Sequence, residues 1–262
     1  MSKTKIIALD AGHGLNTSGK QTPDGIKEWT LNDKVRDKIV DMLKDYDVKF
    51  IFPDNNEGKK DEGLKTRRSM YVSKKVDAAV SIHHNAYTGK WGKATGVEVF
   101  TDRKATAADK ELASLIYENF PKYTGLKGRG IKTANWTVIY QNSVPAVLVE
   151  GGFMDSTIDY PVITSDEGQT GYAKAVAEGL IEFLDLKKKK TAATTTGSFK
   201  VKFNRNMNVR EGAGTKNKKV TIAKKNYVYT ITDTTMVGKN LWGKLKSGAG
   251  WVCIADKYCT RV

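Results

Sequence analysis

Along residues 1–186 the spacing of apolar residues switches repeatedly between a strand-like run and a helical period, and beyond residue 197 only short strand-like runs remain. Lys5–Asp10 (K-I-I-A-L-D) is a short apolar run ended by Ala11-Gly12, the pattern of a buried strand. Leu31, Val35, Ile39 and Met42 then recur at helical spacing with Asp and Lys between them, which predicts an amphipathic helix. Val48–Phe52 reads as a strand closed by Pro53, Leu64–Val76 as a helix, and Ala78–His83 and Gly96–Phe100 as strands. Leu112, Ile116 and Phe120 mark another helix, Val138–Gln141 and Ala146–Glu150 two more strands, and Ala173, Val176, Ala177, Leu180, Ile181 and Leu184 a last helix. Strands alternating with helices of this length predict an α/β fold, a mostly parallel sheet with helices on both faces.

The second part differs in kind. Residues 187–197 (K-K-K-K-T-A-A-T-T-T-G) have no apolar period and read as an extended linker. Phe199–Phe203, Lys219–Ile222, Val228–Thr232, Leu241–Lys246 and Trp251–Ile254 are short strand candidates separated by turn signals such as Gly212–Gly214 and Gly248–Gly250. About 65 residues of this pattern suit a small β-barrel over residues 198–262. Trp242 and Trp251 are expected in its core. The net charge of +15 divides along the same line. Residues 1–186 hold 26 basic and 26 acidic residues, whereas 187–262 hold 18 basic and 3 acidic. A neutral domain precedes a strongly basic one, so an anionic partner is expected for the second alone.

Composition also narrows the class. No window approaches the roughly 18 uninterrupted apolar residues of a membrane span. The N-terminus runs from two lysines straight into a strand pattern without a signal-peptide core, so synthesis as a soluble cytosolic chain is expected. Cys253 and Cys259 are too few for a disulfide framework and lack metal-binding spacing, and are read as free, inert thiols.

The three histidines sit in two short motifs. His13 lies in L-D-A-G-H-G just after the first strand, and His83 and His84 lie in S-I-H-H-N at the end of a later one. Glu150 closes the run A-V-L-V-E-G-G-F. Open parallel sheets bind ligands at the carboxyl ends of their strands, so these residues are delivered to one rim. Two imidazoles and a carboxylate are a donor set for a catalytic zinc with one position left open. Spacing leaves Asp10, Asp24 and Glu28 as alternatives for the carboxylate ligand. Neighbouring strand residues face opposite ways, so only one of His83 and His84 can face the metal. Arg67 and Arg68 fall on a helix and are assigned no chemistry.

D-A-G-H-G near the N-terminus, a Glu shortly before the first helix, S-I-H-x-N and L-V-E-G-G-F, in that order, resemble the zinc-dependent N-acetylmuramoyl-L-alanine amidases of the amidase 3 type. The resemblance spans roughly residues 4–186. It implies that His13, Glu28 and His83 bind zinc, that Glu150 is the catalytic carboxylate, and that the bond cut joins N-acetylmuramic acid to L-alanine of the peptidoglycan stem peptide. This chain has Asp155-Ser156 where the family commonly has a small residue and Asn. N-V-R-E-G-A-G-T (208–215) with the later L-W-G-K-L and G-W-V is similar to bacterial SH3 modules that hold wall enzymes on peptidoglycan. The two resemblances together look like a bacteriophage endolysin, made in the host cytoplasm and acting on the wall after release.

Peptidoglycan, with anionic wall polymers such as teichoic acid, is therefore the expected partner. A nucleic-acid partner is not expected, since no recognised nucleic-acid motif accompanies the high pI and the first domain is neutral. A non-catalytic wall binder and a zinc peptidase cutting within the stem peptide are the competing readings.

Overall fold

The computed structural model describes residues 4–140, 143–189, 198–238 and 240–262. The chain forms two compact units, Met1–Lys189 and Lys190–Val262. In the first, β1 (Lys5–Ala11), α1 (Glu28–Leu43), β2 (Val48–Ile51), α2 (Leu64–Ser73) and β3 (Ala78–Asn85) follow one another. Then come β4 (Val97–Asp102), α3 (Ala107–Thr124), β5 (Gly128–Ala134), β6 (Ala146–Phe153), α4 (Tyr160–Thr164) and α5 (Asp166–Phe183). The six strands make one sheet in the order β2, β1, β3, β6, β4, β5. Every neighbouring pair is parallel except β4 with β6, so the sheet is mixed.

Strand alternation divides the core in two. Ile7, Leu9, Val80, Ile82, Val147 and Val149 face α1, α3 and α5, whose Leu31, Val35, Leu112, Ile116, Val176 and Leu180 are fully buried against them. Each such aliphatic side chain contributes about 1.5–3 kcal/mol by leaving water. Ala8, Ala79 and Leu148 face the other way, toward Tyr71 of α2 and the buried pair Val138 and Ile139. Helices thus cover both faces.

The expected strand Val138–Gln141 is not one. Thr137–Tyr140 is a turn, and Gln141 lies outside the described residues. Its apolar residues are buried because they plug the second core, with no ladder partner needed. The linker reading of 187–197 also needs revision at its start. Tyr46 and Lys188 form a β-bridge, Asp47 N–H donates to the Lys187 carbonyl at 3.2 Å, and Lys189 N–H donates to the Asp45 carbonyl at 2.6 Å. Residues 190–197 lie outside the described residues.

The second unit is a seven-stranded sheet of antiparallel pairs: β7 (Phe199–Phe203), β8 (Met207–Arg210), β9 (Lys219–Ala223), β10 (Val228–Val237), β11 (Asn240–Leu245), β12 (Trp251–Cys253) and β13 (Cys259–Arg261). Val201, Phe203, Val209, Ile231, Leu245 and Val252 form its core. Trp242 is buried, whereas Trp251 is only half-buried. Cys253 and Cys259 are buried and free, and burial raises the Cys259 thiol to about 11. Among the described residues no helix is long and apolar enough to cross a membrane.

Candidate metal centre and catalytic cleft

The carboxyl ends of β1 and β3 and the first residue of α1 meet at one point. His13 follows β1 in a left-handed conformation, φ 67°, which is costly for any residue with a Cβ. Gly12 permits the turn by leaving room: a Cβ there would stand 2.1 Å from the His83 ring. The turn is held from beneath by Arg67, which is 1% exposed. Its Nη2 donates to the His13 carbonyl at 2.7 Å, and its Nη1 to the Ala11 carbonyl at 2.8 Å and to Asp10 Oδ1 at 2.5 Å. Tyr71 OH and Ser81 Oγ donate to the other Asp10 oxygen. The sequence reading put Arg67 on a helix and assigned it no chemistry, because the signal it offered, a cation with apolar residues at helical spacing around it, was too weak to reveal a buried anchor.

Glu28 starts α1, where the helix dipole favours a negative charge. Its Oε1 accepts the His84 N–H at 3.2 Å and lies 3.1 Å from His83 Nδ1. Its Oε2 is buried and makes no hydrogen bond, with His13 Nε2 3.3 Å away. Of the three carboxylates left open by spacing, Asp10 is engaged by Arg67, and Asp24 binds Thr22 and Tyr160 at the surface. Glu28 alone stands between the imidazoles. One ligand atom from each of His13, Glu28 and His83 lies within 4.8 Å of the others, so the three could share one metal ion. The 3.3 Å between His13 Nε2 and Glu28 Oε2 matches one edge of a tetrahedron around a zinc with bonds of about 2.0–2.1 Å.

His84 points away from this cluster. Its Nδ1 pairs with Asn32 Oδ1 at 2.8 Å, and Asn32 Nδ2 donates to the Gly12 carbonyl at 3.1 Å. The sheet alternation therefore separates the two histidines: one enters the cluster and its neighbour braces the loop behind it.

Glu150 lies on β6, in register with His83 on the adjacent β3. Its Oε2 is buried without a hydrogen-bond partner. Tyr172 of α5 donates to the Val149 carbonyl at 2.9 Å and to the His83 carbonyl at 3.3 Å, fastening the two strands together. Gly151 is required beneath it, because a Cβ would sit 1.9 Å from the Tyr172 ring. On the far side Glu98 of β4 stands in register with Glu150 and takes hydrogen bonds from Arg129, Lys132 and Asn85.

Electrostatics follow from this packing. Burial lowers His13 to about 4 and, despite the pull of His83, raises Glu150 to about 8. Burial opposes the charged forms of Glu28 and His83 as well, but their hydrogen bond and mutual attraction win, so Glu28 is held low and His83 high. These groups open on a cleft of about 360 Å³, lined by His13, Lys20, His83, Trp136 and Glu150 among others.

Asp155, where the family commonly has a small residue, is not in the cleft. Its Oδ2 accepts the backbone N–H groups of Tyr87, Thr88 and Gly89, tying down the loop after β3.

Residues 7–182 match the family model of N-acetylmuramoyl-L-alanine amidases termed Amidase_3. The chain belongs to this family. It is similar to the endolysin of Bacillus phage SPP1, at 31% identity over 98% of each chain, so that likeness extends through the second unit. The amidase of Clostridium difficile 630 has 28% identity and a TM-score of 0.66 over 70% of this chain and 98% of its own. The catalytic domain of CwlV, the amidase from Bacillus (Paenibacillus) polymyxa var. colistinus, has 29% identity and a TM-score of 0.64 over 70% and 99%.

Proposed function

We propose that the protein is a peptidoglycan hydrolase that cuts the amide between N-acetylmuramic acid and the L-alanine of the stem peptide, and that it serves as a phage endolysin. The observation that carries this reading is the convergence of a two-histidine, one-carboxylate donor set and a half-buried Glu150, whose Oε2 is buried without a hydrogen-bond partner, on one cleft of the amidase fold. In this reading His13, Glu28 and His83 hold zinc. Zinc bound there would supply a Lewis acid that acidifies water, polarises the scissile carbonyl and draws Glu150 back toward its ionised form.

Glu150 then takes the proton of the attacking water and returns it to the departing alanine amine. Burial opposes the charged carboxylate and so helps Glu150 hold that proton between the two events. Lys20 lines the cleft and is close enough to act electrostatically on His13, Glu28 and Glu150. Asp10, Arg67, Asn32 and Tyr172 position the reacting groups and touch no substrate.

The second unit is read as an SH3-like wall-binding module. Residues 198–262 carry 14 basic and 3 acidic residues, so anionic wall polymers such as teichoic acid are its natural counterpart. The protein would be made in the host cytoplasm and act after release to the wall.

Mass spectrometry of digested wall tests the activity. New L-alanine amino termini with an intact glycan are expected, and cleavage between two stem-peptide residues would show a peptidase instead.

A further inference from the structure

The loops that follow β3 and β6, the strands of His83 and Glu150, are bound to each other at the rim of the sheet. Asp155, 2% exposed, takes the Tyr87, Thr88 and Gly89 N–H groups on its carboxylate at 2.8–2.9 Å, and its carbonyl accepts the Gly92 N–H at 2.9 Å. The Gly92 carbonyl in turn accepts the Thr157 N–H at 2.9 Å and the Thr157 hydroxyl at 3.1 Å. One buried residue thus clamps both ends of the loop, yet its two aromatic rings stay in water: Tyr87 is 79% exposed and Trp91 46%. Trp91 meets the Tyr160 ring edge-on at 5.0 Å, and the Tyr160 hydroxyl donates to Asp24, in the turn between Lys20 and Glu28. Lys20 lines the catalytic cleft, and its carbonyl accepts the Glu28 N–H at 3.0 Å. Tyr87 is four residues past His83, so roughly 14 Å is the farthest the backbone can carry it. A fixed pair of exposed rings therefore adjoins the cleft on the side of the β3 and β6 loops.

Clustered exposed aromatic rings mark contact surfaces, and rings held still before the partner arrives lose little entropy on binding it. Two arms leave the scissile amide, a peptide that begins with alanine and a glycan joined through muramic acid. A cleft of about 360 Å³ holds the reacting amide and its immediate neighbours, so a glycan that runs on in both directions must lie over the rim. Alanine offers a ring one methyl group, whereas a pyranose stacks a flat face of C–H groups on it and keeps its hydroxyls in water. We propose that Tyr87 and Trp91 form a glycan-stacking subsite that seats a sugar of the strand beyond the muramic acid under attack, with Asp155 as the positioning residue that presents it. The inference rests on the amidase reading and adds selection for glycan length to it.

The test uses the full-length zinc-loaded protein and one stem peptide carried either on a single N-acetylmuramic acid or within an oligosaccharide of alternating N-acetylglucosamine and N-acetylmuramic acid. Wild type is expected to favour the oligosaccharide by about tenfold in kcat/KM, expressed mainly in KM, the size of one good ring contact. In Tyr87→Ala/Trp91→Ala, at two exposed positions, that preference should collapse toward one while kcat on the single-sugar substrate is unchanged. Trp91→Tyr should keep most of it. Asp155→Ala should raise KM for the oligosaccharide alone, and Asp155→Asn, which keeps an acceptor oxygen, should restore it; an equal rise on both substrates would remove Asp155 from the role. A wild-type ratio near one, or a ratio unchanged in the double variant, would overturn the subsite. If wild type cleaves neither compound, the amidase reading falls, and calorimetry with the peptide-free oligosaccharide still decides the subsite: equal binding to wild type and double variant refutes it. A double variant that loses affinity for the free stem peptide would show that the rings read the peptide arm, which refutes it as well.

Discussion

Replacing Arg67 by Met should do more damage than any surface substitution on α2, and the structure sets the size of the loss. Arg67 makes five hydrogen bonds: to the carbonyls of Glu62, Ala11 and His13 and to the carboxylates of Asp10 and Asp61. Removing one member of a buried ion pair costs about 3–5 kcal/mol, because the other charge is left uncompensated. Asp10 would keep its donors Tyr71 and Ser81, which favours the lower half of that range, whereas the abandoned carbonyls add roughly 1 kcal/mol. The expected loss is about 4 kcal/mol. At roughly 2–4 °C per kcal/mol for a unit of this size, the melting transition should fall by roughly 8–16 °C. That transition is identified by its upward shift when zinc is added.

A second readout separates anchoring from bulk stability. Without Arg67 the His13 turn loses the bond that holds its carbonyl at positive φ, so zinc affinity should drop roughly 10–100-fold at temperatures where the variant is still folded. Arg67→Lys keeps the charge but cannot serve both carbonyls and the carboxylate, and should fall between. In a cycle with Asp10→Asn the two losses should be less than additive. Arg67→Met with a loss under about 1 kcal/mol and wild-type zinc affinity would refute the argument.

Glu150→Gln should retain zinc and fold while turnover falls by roughly 10²–10⁴-fold or more; near-normal turnover would remove Glu150 from the mechanism. Glu28→Gln should lose zinc measurably, since an amide is a poor ligand, and unchanged metal content would mean that another group completes the site. Zinc binding in the Glu150→Gln background should weaken with acidification at a slope near one proton: His83, held above the usual histidine range, must release its proton to ligate, whereas His13, lowered to about 4, is already neutral. A slope of two near pH 6 would contradict that assignment. Binding of residues 198–262 to purified wall should weaken markedly from 0.1 M to 1 M salt, as screening shortens from about 10 Å to about 3 Å, and unchanged binding on wall stripped of anionic polymer would show that charge is not what holds it.

Much of the fold was legible because burial on both faces of a sheet leaves long apolar runs, as in β1, β3 and β6. β5 was missed because G-R-G-I-K-T-A, at the sheet edge, alternates cations with small residues and carries little apolar signal. β8 and β13, of four and three residues, are too short to show a period. Val138 and Ile139 misled in the opposite sense, since a buried turn and a buried strand are equally apolar. The direction of β4 could not be read either, because side-chain pattern is the same for a strand run either way. In the site, His13 and His83 stood out through their motifs, and the family resemblance singled out Glu28, which local spacing did not distinguish from Asp10 or Asp24. The braces behind these residues were invisible for a physical reason. Arg67, Asn32 and Tyr172 act through contacts distant in sequence, and each looks locally like an ordinary helix residue.

The lysines after α5 have a practical meaning for anyone dividing the protein. β2 is the outermost strand on its side of the sheet, and Lys187–Lys189 pair with Asp45–Asp47, the run that leads into it. An unpaired strand edge is a template for another chain, and lysine is a common guard against such pairing. A fragment ended at Leu186 would strip that guard, free the Asp47 N–H and the Asp45 carbonyl, and extend the open edge back to Asp45. A fragment ended after Lys189 keeps the edge blunted by three positive charges, so the three residues that look most dispensable decide whether the isolated catalytic unit stays monomeric.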